Sequence, residues 1–547
     1  MSFFQLVRRE MHGSLPKLVF VSGLGGISNA AILAAINAGM QSADDGKAAS
    51  LWSITLFLVS FFLFIKAQLY ISGTTTVEIE SIIHRLRVRL MDQIRHSELL
   101  AIDKIGRSSI VGAVSGDTAV LTQAANMLCF SVQGLVLMFF VTIYIAYLSL
   151  VAFALSVLIV GAAILAFHIK SRSLDVENRR AAECEHLLFD RLTDFLDGFK
   201  EVRLNSARSA ALFADAVEAS RSAANIKIRS QTGTFRQIVT SQAAMYILLA
   251  AIVFVAPRFS DSLAGTSITK TTTALLFVVG TAFGLVQAIP VLLAANGAAQ
   301  RIDQLEAALL ATNVSADGDI KISTRFDRIE MHDVKFRYID RLSEAAFQIG
   351  PLDFTLRPGE LVFITGGNGS GKSTFLRVLA GLYPPDSGDI TLDGMPVTDD
   401  TREAYRTLIS AIFTDYHLFR RLYGIPEPEP DELNRLLTQF RLTEKTALSN
   451  GEFSTLDLSG GQRKRLALIV SLLEKRPILL LDEWTSDQDP EFRRKFYHEV
   501  LPELMRAGAT IVVITHDDRY LAELDIPARL MRMDEGHFVE QRSMQSG

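Results

Sequence analysis

The chain holds little cysteine. Cys129 and Cys184 are its only two, and neither stands in a CxxC or Cys/His metal spacing, so a disulfide framework and a zinc site are both excluded. They read as small apolar or incidental residues. Charge of one sign is lacking too. The net charge is −5 and the Lys and Arg residues never gather into one long run, which leaves no footprint for a nucleic-acid partner. A conventional cleavable signal is missing: Lys17 to Met40 follows the basic residues Arg8, Arg9 and Lys17 but outruns a signal's apolar core, and further apolar segments come after it. It reads as a first membrane span. What is present in quantity is apolar character, 49% of the residues, with a mean hydropathy of +0.25 that is high for a soluble protein. A length of 547 residues exceeds what one hydrophobic core serves, so two domains of different solvent are expected.

Apolar segments of the roughly 20-residue length that a bilayer demands fall in the first three hundred or so residues. They number about six: Lys17 to Met40, Leu51 to Ser72, Asn126 to Leu150, Val151 to Ile169, the short Ser241 to Pro257, and Thr271 to Asn296. The third and fourth abut, which requires a tight helical hairpin. Long segments between spans two and three and between four and five carry Arg85, Arg87, Arg89, Arg95, Arg172, Arg179, Arg180 and Arg191. The other loops are poor in Lys and Arg, so both termini are expected in the cytoplasm. The arginine-rich segments lack proline and show helical spacing, as in ESIIHRLRVRLMDQI, which predicts membrane helices that continue past the bilayer. Pro290 is expected to kink the last span.

Near Ile320 the pattern changes to short β-like runs, giving a boundary between residues 1–319 and 320–547. LVFITGGNGSGKSTFLRVLAGLY reads as strand, glycine loop and helix. Gly366, Gly367, Asn368, Gly369, Ser370, Gly371, Lys372, Ser373 and Thr374 form a phosphate loop whose backbone N–H groups face an anion. Lys372 should reach the outer phosphates, and Ser373 should bind Mg²⁺. A second strand in PILLLDEWTSDQDP delivers Asp482, suited to Mg²⁺, and Glu483, suited to a general base. A third, ATIVVITHDD, ends at His516, where contact with a γ-phosphate outweighs a packing role. In LSGGQRKRLAL, residues Ser459, Gly460, Gly461 and Gln462 open a helix able to receive an anion.

Those motifs in that order resemble the nucleotide-binding domain of ABC transporters, and the preceding spans resemble the exporter-type membrane domain. The fold class implied is multi-domain: an all-α, six-helix transmembrane exporter domain followed by an α/β P-loop ATPase domain. The resemblance implies ATP and Mg²⁺ as cofactors, and a head-to-tail pair of chains in which the signature of one closes over the nucleotide of the other. With one set of motifs in the chain, a homodimer in a bacterial inner membrane is the simplest assembly, and a heterodimer with a similar partner is the alternative. By the same resemblance Tyr338 in VKFRY stacks on adenine and Asp489 in SDQDP is the D-loop aspartate.

The family's usual glutamine is replaced by Thr414 and Asp415 in AIFTDYHLF, either of which would contact Mg²⁺ or its water. The stretch from there to the signature is compact and holds PEPEP, which predicts a trimmed helical subdomain. AIFTDYHLF, FSTLDLSGGQRKRLAL and DGFKEVRLNSAR resemble the cyclic-peptide and siderophore-peptide exporters, implying a small constrained peptide or other amphipathic cargo. The alternatives are a lipid flippase on the same scaffold and a membrane-bound ATPase sensor or importer. Asn29, Asn37, Lys66, Gln68, Gln133 and Gln287 are the polar residues at membrane depth, each suited either to a cargo pathway or to interhelical bonding.

Overall fold

The computed structural model describes residues 3–10, 15–44, 46, 48, 50–158, 161, 188, 191–255, 266–311, 325–339 and 346–544. The chain divides into two compact units. The first comprises Met1–Met91 and Ser108–Glu306, the second Asp92–Arg107 and Ala307–Gly547.

The first unit is helical. It opens on α1 (Phe3–Glu10), α2 (Leu15–Asp44) and α3 (Leu51–Arg95). The turn after α3 contains the short α4 (Leu99–Ile105), which belongs to the second unit. Then follow α5 (Arg107–Leu148), α6 (Ser206–Val255) and α7 (Thr266–Leu310). Five of these helices, α2, α3, α5, α6 and α7, are long and apolar enough to cross a membrane. The fourth apolar segment is helical at residues 150–158 and 161, and its remainder lies outside the described residues, as do Cys184, Arg172, Arg179 and Arg180. A single extended residue, Ser149, separates it from α5. The short fifth segment proves to be the end of a 50-residue helix, α6. Its apolar run looked short because the rest of the helix is polar.

Helix α3 shows how one helix serves two solvents. Its first half is apolar on nearly all sides, with Leu51, Trp52, Leu58 and Phe62 exposed, as suits lipid. Its second half buries Ile79, Ile82, Ile83, Leu86 and Leu90 at helical spacing, leaves Arg85 and Arg95 exposed and holds Arg87 and Arg89 half-buried against other helices. Arg89 bonds Glu306 of α7 at 2.8 Å and Glu10 of α1 at 3.0 Å. Arg87 donates to Thr118 of α5 at 3.0 Å. A helix of 45 residues, the length of α3, is about 68 Å long at 1.5 Å per residue, against about 30 Å of hydrocarbon. Helix α7 runs through Pro290 without interruption.

The second unit is layered α/β. An antiparallel sheet runs β2-β1-β4-β5, from β1 (Ile329–Ile339), β2 (Ala346–Leu356), β4 (Ser387–Leu392) and β5 (Met395–Pro396). A six-stranded sheet runs β12-β11-β3-β10-β9-β6. Its members are β3 (Leu361–Thr365), β6 (Ile409–Ile412), β9 (Ile478–Asp482), β10 (Thr510–Ile514), β11 (Ala528–Asp534) and β12 (His537–Met544), with only β12 antiparallel. The central strands are apolar end to end because both faces are covered. Val362, Ile364, Leu480, Val512 and Ile514 fill one core. Phe363, Leu479, Leu481, Ile511 and Val513 fill the other. The stretch between β6 and the signature holds one helix of ten residues, Pro430–Gln439, begun by a proline, and the two-residue strands β7 (Leu448–Ser449) and β8 (Glu452–Phe453). The spare subdomain expected there is what the chain builds.

Candidate functional site

Strand register assembles the site. In the parallel sheet Ile364 of β3 pairs Ile514 of β10, which pairs Asp482 of β9. The residues that follow each strand therefore leave the sheet along one edge: Gly366 after β3, Glu483 after β9 and His516 after β10. This carboxyl edge is where open α/β sheets present ligand-binding groups.

The glycine loop curls from β3 into the helix Lys372–Leu379, and two of its glycines are sterically required. Gly366 has φ +149, and a Cβ there would lie 2.1 Å from the carbonyl oxygen of Met533. Gly371 has φ +99, and its Cβ would fall 2.6 Å from Ile349. Gly367, Asn368 and Gly369 form an exposed crest, whereas Ser370 is buried. Lys372 is 5% exposed. Its Nζ donates to the carbonyls of Gly366 (2.9 Å) and Gly367 (2.7 Å), so the cation is held inside the loop it serves. Burial pushes the Lys372 pKa down, against the opposing pull of Glu483 and Asp482.

Ser373 Oγ donates to Asp482 Oδ1 at 3.1 Å. Asp482 is 1% exposed, and its Oδ2 has no hydrogen-bond partner among the described residues. Burial raises its pKa, while the Ser373 hydroxyl, Arg377 and the Thr414 backbone amide oppose the rise. No group of three or more His, Cys, Asp and Glu suited to a metal occurs among the described residues. One orphaned buried carboxylate oxygen beside a hydroxyl fits an ion such as Mg²⁺, which takes few protein ligands and completes its shell with water and phosphate oxygens. Thr414 is exposed, and Asp415 is engaged elsewhere, with Arg377 at 3.3 Å.

Glu483 sits at φ 48, ψ 38, a left-handed conformation that a non-glycine residue adopts at a cost. The surroundings hold it there: its N–H donates to the Ile514 carbonyl at 3.1 Å and its carbonyl accepts from Lys464 Nζ at 2.9 Å. Its Oε1 lies 3.2 Å from His516 Nε2, which joins two of the three strand ends directly.

The signature residues form their own structure. Ser459 caps the helix Gly460–Leu473, accepting from the Gln462 N–H at 3.4 Å while Gln462 Oε1 accepts from the Ser459 N–H at 3.1 Å. A Cβ on Gly461 would lie 2.6 Å from the Asp487 carbonyl oxygen, so the helix start is pressed onto the turn after β9. Asp489 caps the helix Pro490–Lys495, accepting from the Phe492 N–H at 2.8 Å, and it pairs with Arg465 at 2.6 Å. The Phe492 amide, and then Arg465, hold its carboxyl below the usual range. Tyr338, near the end of β1, is 37% exposed.

Lys464 and Arg465 were not singled out as site residues in the sequence, although RKR one turn into a glycine-started helix is a usable signal. Lys464 bonds Glu483, Ser486 (2.8 Å) and Asp487 (2.8 Å), and Arg465 bonds Gln488 (2.8 Å) and Asp489. Together they clamp the signature helix to the turn that carries the acidic pair.

Residues 349–486 match the family model described as ABC transporter. The chain is 33% identical over 558 residues to the ATP-binding protein SyrD of Pseudomonas syringae pv. syringae, covering 97% of this chain and 96% of that one. It is 38% identical over 173 residues to the mycobactin import ATP-binding/permease protein IrtB of Mycolicibacterium thermoresistibile, 29% of each. Among solved structures, that of a bacterial Atm1-family ABC exporter with ATP bound shares its fold, with a TM-score of 0.77 at 18% identity over 98% of this chain and 95% of that one.

Proposed function

The chain belongs to the ABC transporter family, and from that premise we propose that its ATP-driven export carries a small, constrained or modified peptide across a bacterial inner membrane, as a homodimer with both termini in the cytoplasm. The observation that carries the reading is the convergence of Lys372, Ser373, Asp482, Glu483 and His516 on one sheet edge, in a chain that also carries five membrane-length apolar helices.

In this reading Tyr338 stacks on adenine. The amides of the loop from Gly366 to Thr374 receive the phosphates. Lys372 turns from its carbonyls to the outer phosphates, and Ser373 and Asp482, with Thr414 nearby, would hold Mg²⁺. When bound, Mg²⁺ neutralises phosphate charge. Glu483 orients and deprotonates the attacking water, and His516, bonded to it, contacts the γ-phosphate. Ser459, Gly460, Gly461 and Gln462 of a second copy close the site from the other side, with Asp489 positioned through Arg465. Closure of the two ATPase units turns the membrane helices outward, and hydrolysis with product release resets them.

The peptide cargo is supported by the likeness of AIFTDYHLF and FSTLDLSGGQRKRLAL to peptide exporters. The test is purified protein in a defined bilayer, assayed for ATPase stimulation and vesicle uptake. Stimulation and uptake with cyclic peptides are expected. Stimulation by lipids alone would replace the peptide reading with a flippase, and ATPase activity with no uptake of any cargo would replace it with a sensor.

A further inference from the structure

The six polar residues at membrane depth separate into three groups. Asn37 is buried and donates to Tyr144 Oη at 3.1 Å, the pattern of an amide that joins two helices. Lys66 and Gln287 are exposed, Lys66 lying 5.6 Å over the ring of Phe62. Asn29, Gln68 and Gln133 do something else. One each from α2, α3 and α5, they line one cavity of about 310 Å³ within the helical unit.

Two close helix crossings shape that cavity. A Cβ on Gly26 would lie 2.5 Å from Val136 Cγ1, and one on Gly134 would lie 3.0 Å from Thr281 Cγ2 of α7. The helices thus touch backbone to side chain at these glycines and leave the space beside them open. None of the three amides has a hydrogen-bond partner among the described residues. In an apolar surrounding each unpaired amide is unfavourable, and each offers both N–H donors and a carbonyl acceptor. Among the described residues no charged side chain lines the cavity, and Phe64, Phe130 and Leu137 supply an apolar wall. A charged ligand would enter without a counter-charge. A neutral group with its own N–H and C=O would satisfy the amides and cover the rings. The volume is at the lower end for ligand pockets, enough for a segment of a larger molecule.

We propose that this cavity is a cargo subsite for an uncharged, amide-bearing segment, the backbone of a small peptide, a proposal that rests on the export reading above. The probe is a neutral cyclic hexapeptide carrying a diazirine, used with its fully N-methylated analogue on the full-length protein in proteoliposomes. Photolabel is expected on α3 and α5 around Phe64 and Phe130. Asn29→Leu, Gln68→Leu and Gln133→Leu should each raise the half-saturating concentration about tenfold, the factor for one lost hydrogen bond of about 1.4 kcal/mol. N-methylation should weaken the unsubstituted protein by a like factor and the Leu variants less. Gln287→Leu, outside the cavity, should leave half-saturation where it was. ATPase stimulation with the same half-saturation in all three variants, or label confined to other helices, would overturn the subsite and leave export standing. Label in the cavity with neither stimulation nor uptake keeps a peptide-binding cavity but removes the export reading, and with it the cavity's role as a cargo subsite. Neither label nor stimulation removes both.

Discussion

Replacing Glu98 by alanine should loosen the turn Asp92–Arg107 from the ATPase unit while leaving the nucleotide site folded. Glu98 stands at the N-cap position of α4 without a side-chain capping bond and is 9% exposed. Its carboxylate accepts from Arg406 at 2.7 and 2.9 Å and pairs with Arg402 at 3.5 Å. Losing one partner of a buried ion pair costs about 3–5 kcal/mol when the other charge is stranded. Here neither arginine would be stranded, because Arg402 keeps Asp399 at 2.6 Å and Arg406 keeps the Gly381 carbonyl at 2.7 Å. The cost falls to that of charged hydrogen bonds, about 1.5–3 kcal/mol. Ala101, Leu99, Leu100 and the bond from Tyr383 Oη to Asp103 (3.4 Å) remain to hold α4. Amide exchange over residues 92–107 should therefore speed by about 10- to 150-fold, with strands β3 and β9 unchanged. Unaltered exchange in this turn would refute the reasoning. So would a loss of protection that reached the central sheet.

Three further outcomes follow from the nucleotide site. Glu483→Gln should retain ATP binding but lose about 10²- to 10⁴-fold in phosphate release, and near-normal turnover would remove Glu483 as the base. Gly366→Ala should abolish ATP binding, measured by nucleotide fluorescence, because its Cβ meets the Met533 carbonyl at 2.1 Å. Asp482→Asn should stop turnover yet raise the melting temperature of the nucleotide-free protein at neutral pH. The folded pKa of Asp482 is raised by burial, so its charge opposes folding above that pKa and the penalty vanishes as pH falls below it. The gain in melting temperature should disappear in acid, and a gain independent of pH would contradict the assignment.

The candidate site was legible because its parts are local strings: a glycine loop, an acidic strand end and a capped helix each announce themselves within a dozen residues. Their convergence is a matter of register, Ile364 beside Ile514 beside Asp482, which no string records. That α3 continues past its apolar run was legible in the helical spacing of ESIIHRLRVRLMDQI, whereas the extent of α6 was not, because its apolar run occupies only the end of the helix. The docking of Glu98 on Arg402 and Arg406 joins residues some three hundred positions apart and leaves no local trace. The same holds for Asn29, Gln68 and Gln133: each was visible as a polar residue in an apolar run, but only helix packing brings them to one cavity.

The length of α3 has a mechanical consequence. A stiff rod of about 68 Å tipped by about 5° at one end displaces the other by about 6 Å, roughly one helical turn. Such a rod works as a lever, exchanging force for travel. On the export reading proposed above, a rearrangement of an ångström or two near its fulcrum would become a displacement of several ångströms at the far tip. The helix must then be rigid rather than merely long. The ion pairs of Arg89 with Glu10 and Glu306, and the row of buried isoleucines and leucines from Ile79 to Leu90, brace the more polar half of the shaft.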